Sequence, residues 1–113
     1  MHEMSIALSI LDIIKQEAEK ASSIKVNEIV LDIGSLSGIE IESLKFALEV
    51  SFTEPLVKGC EIIVNKIEAK TKCKDCQTEF SCENLFSPCP ECNSFSHDLL
   101  CGKEVQLKSI VVD

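Results

Sequence analysis

Four cysteines fall in two pairs, Cys73-Lys-Asp-Cys76 and Cys89-Pro-Glu-Cys92, with twelve residues between the pairs. Two residues between thiolates let one tight turn, a knuckle, aim both sulfurs at one point. Two knuckles complete a tetrahedron, which suits Zn2+ because its filled d-shell imposes no other geometry. Four protein ligands leave no position for water, so the expected site is structural rather than catalytic. Iron is the competing ion, since rubredoxin-type sites use the same two knuckles. The residues that follow the second cysteine of each pair, Gln77 and Asn93, are expected at positive φ. Asn tolerates that conformation and Gln is less comfortable in it, which makes the first knuckle the less regular.

Cys60, Cys82 and Cys101 remain, and they read as small buried residues or idle thiols. Cys82, between the knuckles, is the one that could stand in as a ligand. Seven cysteines cannot all pair internally, and four of them sit in Cys-x-x-Cys motifs. The first residues have no basic segment, and Glu3, Asp12 and Glu17 interrupt the apolar positions, so they do not read as a secretory signal. Metal binding in the cytoplasm is therefore the expectation, ahead of a disulfide framework.

A second group could hold a different metal. In Met1-His2-Glu3 the α-amine, the following backbone nitrogens and the imidazole can surround one ion with adjacent chelate rings. A planar nitrogen set favours Ni2+ or Cu2+ over Zn2+. Glu3 can add an oxygen or tune the site. The alternative is a solvated terminus. His97 is the only other imidazole. It reads either as a surface residue or as an additional nickel ligand.

The formal net charge is −8 and all eleven basic residues are lysine. A nucleic-acid binder needs a basic face and leans on Arg for base readout, so that class is excluded, as are anionic membrane surfaces. The charge suits a protein that handles cations or docks on a basic partner. No apolar run approaches the ~20 residues of a membrane span. A monomer or weak homodimer is expected. No Walker lysine motif and no open zinc site is present, which argues against an enzyme.

The elements that must position these groups follow from periodicity. Residues 4–22 read as an amphipathic helix with Met4, Leu8, Leu11, Ile14, Ala18 and Ala21 on one stripe, widened by Ile6, Ile10 and Ile13. Residues 24–33 alternate as a strand that Gly34 ends. Ser37-Gly-Ile-Glu40 has the form of a capping box for a helix over 39–51, with Leu44, Ala47, Leu48 and Phe52 toward the core. Residues 60–69 and 105–112 read as strands. Residues 71–102 hold six of the seven cysteines and few aliphatics. They read as a zinc ribbon inserted between two neighbouring strands of one sheet. The fold class is α+β, in the order α-β-α-β-ribbon-β. Residues 1–70 plus 103–113 form the α/β domain, and 71–102 the zinc-ribbon domain.

The order Met1-His-Glu-Met-Ser5, Gly34-Ser-Leu-Ser-Gly38, Leu44-x-Phe-Ala47, Cys89-Pro-x-Cys92 and Gly102-Lys-Glu-Val-x-Leu107 resembles the HypA (HybF) family over nearly the whole chain. The resemblance implies a nickel-binding domain plus a zinc domain. It also implies delivery of Ni2+ for maturation of [NiFe]-hydrogenase, and of urease in some bacteria. It maps nickel onto His2, with Glu3 and Met1 backbone atoms nearby, and zinc onto Cys73, Cys76, Cys89 and Cys92. Gln77 and Asn93 depart from the usual Gly. The implied partners are the GTPase HypB, expected on the exposed face of the first helix (Asp12, Lys15, Gln16, Glu19), and the hydrogenase large subunit or its maturation complex. The alternative function is a zinc-ribbon interaction module without nickel transfer.

Overall fold

The computed structural model describes residues 3–84 and 86–113. Met1 and His2, two of the expected nickel-site residues, lie outside them. The elements are α1 (Glu3–Lys20), β1 (Val26–Gly34), α2 (Ile41–Ser51), β2 (Glu61–Ile67), β3 (Lys70–Cys73), β4 (Glu79–Ser81), β5 (His97–Cys101) and β6 (Val105–Val112). They form two three-stranded sheets, ordered β2-β1-β6 and β4-β3-β5. The class is α+β, as expected.

β1 is the middle strand of the first sheet because it carries the most apolar face. Ile29, Leu31 and Ile33 are all fully buried under α1 and α2. β2 runs parallel to β1 and β6 antiparallel. A parallel neighbour needs a crossover, and α2 supplies it. The ribbon therefore leaves from one edge strand and returns to the other, with β1 between them. This corrects the expectation that it joins neighbouring strands.

Two helices share this one sheet face, and that rotates α1 from its expected stripe. The buried residues are Ala7, Ile10, Leu11, Ile14 and Ala18, whereas Met4 (44% exposed), Leu8 (51%), Ile13 and Ala21 are exposed. Met4 turns toward α2 instead, with its sulfur 3.5 Å from the Ser51 hydroxyl oxygen. α1 also ends two residues early. Ser22 adopts φ 54°, and the Ser23 and Ser22 amides donate to the Ala18 and Glu19 carbonyls at 2.9 and 3.0 Å. That pair of bonds is a Schellman closure, here without its usual glycine.

α2 starts two residues later than expected. Glu40 is itself the N-cap, and its carboxylate accepts from the Glu42 and Ser43 amides at 3.4 and 3.1 Å. Ser37 instead accepts from the Ile39 amide. The expected capping box is thus a tight turn followed by a cap. Leu44, Ala47, Leu48 and Phe52 are buried as expected. β1 begins at Val26, two residues after the expected start at Ile24, which is exposed.

The two sheets meet at a close backbone crossing. The Leu36 amide donates to the Gly102 carbonyl and the Gly34 amide to that of Glu104, both at 2.7 Å. A Cβ on Gly34 would sit 2.1 Å from the Gly102 oxygen, and one on Gly102 would sit 2.6 Å from Ala69 Cα. Backbone cannot yield as a flexible side chain can. Gly34→Ala is expected to destabilise the chain by about 2 kcal/mol or more, the scale of overpacking in a tight site. Urea unfolding followed by circular dichroism measures it.

Candidate metal centre

The second sheet has little apolar material, so its form depends on the two knuckles. They are built alike. In the first, the Cys73 amide donates to the Thr78 carbonyl at 2.8 Å and the Gln77 amide to the Cys73 carbonyl at 3.0 Å. In the second, the Cys89 amide donates to Ser94 and the Asn93 amide to Cys89, both at 2.8 Å. Gln77 and Asn93 have φ of 66° and 62°, so both adopt the expected left-handed conformation. The first knuckle is not less regular than the second. Gln77 is stabilised there by its own side chain, whose amide donates to the Lys74 carbonyl at 3.2 Å. The Ser94 hydroxyl donates to the Asp75 carboxylate at 2.5 Å and ties one knuckle to the other.

The knuckles bring Cys73, Cys76, Cys89 and Cys92 together, with all four sulfurs within 4.8 Å of one another. The Cys73–Cys92 and Cys76–Cys89 separations are 3.5 Å, far beyond a disulfide bond of about 2.05 Å. Zinc–sulfur bonds of about 2.3 Å in a tetrahedron imply sulfurs about 3.8 Å apart. The cluster fits that ion. Cys73 and Cys89 are buried, and Cys76 and Cys92 are exposed.

The electrostatics also ask for a cation. The Thr78 hydroxyl, 3.2 Å from the Cys76 sulfur, and then the Thr78 backbone lower that thiol to about 6. Cys92 is pushed up to about 12: the Ser94 backbone amide lowers it, but hydrogen bonding to Cys73, burial and the other thiols outweigh this. One sulfur takes the charge and its neighbour keeps its proton. A divalent cation removes the repulsion and lets all four ionise. Bound zinc would supply structural cross-linking only.

Thr78 and Ser94 were not singled out in the sequence. Each lies two residues past the second cysteine of its knuckle, so Cys-x-x-Cys-x-Thr/Ser was the available signal. Cys82 is buried but lies outside the cluster, its amide donating to the Ala69 carbonyl at 3.1 Å. The Cys101 thiol donates to the Glu68 carbonyl at 3.4 Å. Burial raises the Cys60 thiol above its ordinary value, against Lys25, which lowers it.

His97 sits opposite Cys73 across β3 and β5, half-buried. Thr71 Oγ1 donates its one hydrogen to the Asp98 carbonyl at 2.7 Å. It must therefore accept from His97 Nδ1, also at 2.7 Å. The ring stands edge-on to Phe80, with centroids 5.6 Å apart. The neutral ring then keeps a bare lone pair on Nε2, which is buried without a hydrogen-bond partner. Glu3 opens α1, against the other sheet. Among the described residues only the four cysteines form a group of three or more metal ligands, and neither Glu3 nor His97 belongs to it.

The family model described as "Hydrogenase/urease nickel incorporation, metallochaperone, hypA" matches residues 1–112. The hydrogenase maturation factor HypA of Parabacteroides distasonis is 43% identical over 112 residues, covering 99% of this chain and 97% of that protein. The factor of the same name from Francisella philomiragia is 39% identical over 111 residues, covering 98% of each. The solution structure of the Ni metallochaperone HypA from Helicobacter pylori superposes with a TM-score of 0.70 at 26% identity, covering 99% of this chain and 97% of that one.

Because the ribbon has so small a core, its metal is its staple. Purified protein is expected to carry one equivalent of zinc and no colour. Cys92→Ser is expected to lose that zinc and disorder residues 71–102 while both helices persist. Binding at such sites is folding free energy, on the order of 10 kcal/mol. Metal analysis with circular dichroism checks it, and a full equivalent of zinc at unchanged affinity would exclude the four-thiolate assignment.

Proposed function

The chain belongs to the HypA family of nickel metallochaperones for hydrogenase and urease maturation, and from that premise we propose that it binds Ni2+ through its first three residues. It is a maturation factor, not an enzyme. Nickel is its cargo, and the four-cysteine site suits a resident zinc. The observation that carries the nickel reading is the family match, which spans residues 1–112 and so takes in Met1-His2-Glu3.

In this reading the His2 imidazole and the adjacent backbone nitrogens, with the Met1 amine, hold nickel in a nitrogen-rich set. Glu3 contributes an oxygen. Its place next to His2 in the sequence supports that role. His97 is the additional donor, supported by the lone pair on Nε2 that has no partner. Zinc binds Cys73, Cys76, Cys89 and Cys92. Residues 1–70 with 103–113 act as the nickel domain and 71–102 as the zinc domain.

Hydrogenase maturation entails contact with the maturation machinery. We infer that the GTPase HypB docks on the outer face of α1 and that the hydrogenase large subunit or its maturation complex receives the nickel. Asp12, Gln16 and Glu19 are exposed, and this supports the α1 face. Lys15 is engaged differently, paired with Glu54 at 2.5 Å, so it steadies α1 against the loop after α2. The reading places the protein in the cytoplasm, where reducing conditions keep its thiols available to metal. No described helix is long and apolar enough to cross a membrane.

His2→Ala is expected to abolish tight nickel binding while zinc content and helicity stay unchanged. A residue added ahead of Met1 should weaken binding if the free amine is a ligand. Affinity should fall as pH drops through the imidazole pKa of ~6.5, because only the neutral ring coordinates. Calorimetric titration of zinc-loaded protein with Ni2+ tests this, and equal affinity in the variant would remove the chemical basis of the reading. For the partner, charge reversal at Asp12 and Glu19 together should weaken HypB binding without unfolding. Unchanged affinity would move that interface elsewhere.

A further inference from the structure

Both helices cover one face of the first sheet, so alternation along β1 sends Glu28, Val30 and Asp32 to the other. Register places Glu61, Ile63 and Asn65 of β2 beside them, and Val111, Ser109 and Gln106 of β6. The described molecule is 54 Å long but only 17 Å through its thinnest direction. Among the described elements α1 and α2 are the ones packed on the first sheet, and no third layer joins them. The apolar residues of this open face, Val30, Ile63 and Val111, are absent from the core, and Val111 is 48% exposed.

On the middle strand of this face Asp32 is nonetheless only 9% exposed. The Asn65 side-chain amide donates to one of its oxygens at 3.2 Å, and that of Gln106 to the other at 3.5 Å. The ion pairs among the described residues are Lys15–Glu54, Lys20–Glu17 and Lys74–Asp98, and Asp32 is in none of them. Two long bonds to neutral amides hold this carboxylate, and no cation of the described residues sits beside it. Glu28 and Glu61, directly opposed in register, add to the negative charge. No lysine occupies these three rows.

We propose that this face seats a protein partner that presents an arginine or lysine from an apolar patch, with Asp32 as the socket for that cation. Val30, Ile63 and Val111 supply the apolar contact around it. A second copy of this chain is a poor occupant, because a two-fold contact would oppose carboxylates to carboxylates. Nucleic acid and anionic lipid are repelled for the same reason. The face points away from the helices, so a protein bound here leaves α1 free. Resting on the delivery function above, the occupant is the recipient of the nickel, held on one side while the GTPase holds the other.

The test uses full-length, zinc-loaded, nickel-free protein titrated with purified nickel-free hydrogenase large-subunit precursor. Asp32→Asn keeps the shape and hydrogen bonding but removes the charge. Val111→Lys sets a cation on an exposed position of the same face and is safe for folding. Each is expected to weaken precursor binding at least tenfold, and added salt should weaken the wild-type complex. Nickel affinity and GTPase affinity should stay as in wild type, which separates failure here from failure of the nickel site. Equal precursor affinity in both variants overturns the proposal, as does a wild-type protein that does not bind the precursor, or loss that appears only together with lost nickel binding.

Discussion

Four thiols held within 4.8 Å of one another cannot all ionise unless a cation shares the space. That constraint organises the outer half of the molecule. Sheet β4-β3-β5 has Thr71, Cys73, Phe80, His97 and Leu99 on its inner rows, too little to hold three short strands by burial. The metal replaces the missing core. Its knuckles place Gln77 and Asn93 in a left-handed conformation that L-residues adopt at a cost of roughly 1–2 kcal/mol each. Coordination and the paired amide–carbonyl bonds of each knuckle offset that cost.

The inner half is held by ordinary means. Fully burying side chains such as Ile14, Ile29, Leu31, Leu44 and Leu48 contributes about 1.5–3 kcal/mol each. Between the halves the chain crosses twice, and both passages press against the end of β1. Ser35 accepts from the Ala69 amide at 3.0 Å, and Gly102 accepts from Leu36 at 2.7 Å. Backbone lies on backbone there, which is why two glycines occupy the crossing. The ribbon is thus anchored on the strand that also carries the core beneath α1 and α2.

This division suits a metallochaperone. Cargo metal must be released, so a site with few ligands suits it. Structural metal must stay, so its site is closed by four thiols in a cross-linked ribbon. The first sheet meanwhile offers two different surfaces, a charged helix face and an acidic, partly apolar strand face.

Much of the metal centre was legible in the residues themselves. Cys-x-x-Cys spacing dictates a knuckle by local geometry alone, so the grouping of the four cysteines and the positive φ at Gln77 and Asn93 could be read without a fold. The apolar periods of α2 and β6 were equally local and held to within two residues at either end. What local patterns could not carry was competition between elements. The stripe of α1 turned because a second helix claims part of the same sheet face, and Glu40 replaced Ser37 as the cap because the turn at Gly38 delays the helix. β1 came to lie between the strands that flank the ribbon because a parallel pair needs a crossover and the last strand takes the free edge. Asp32 looked like one more polar residue in an alternating strand. Only the register that sets Asn65 and Gln106 beside it buries its carboxylate, because burial is a property of neighbours brought together by pairing, not of the residue.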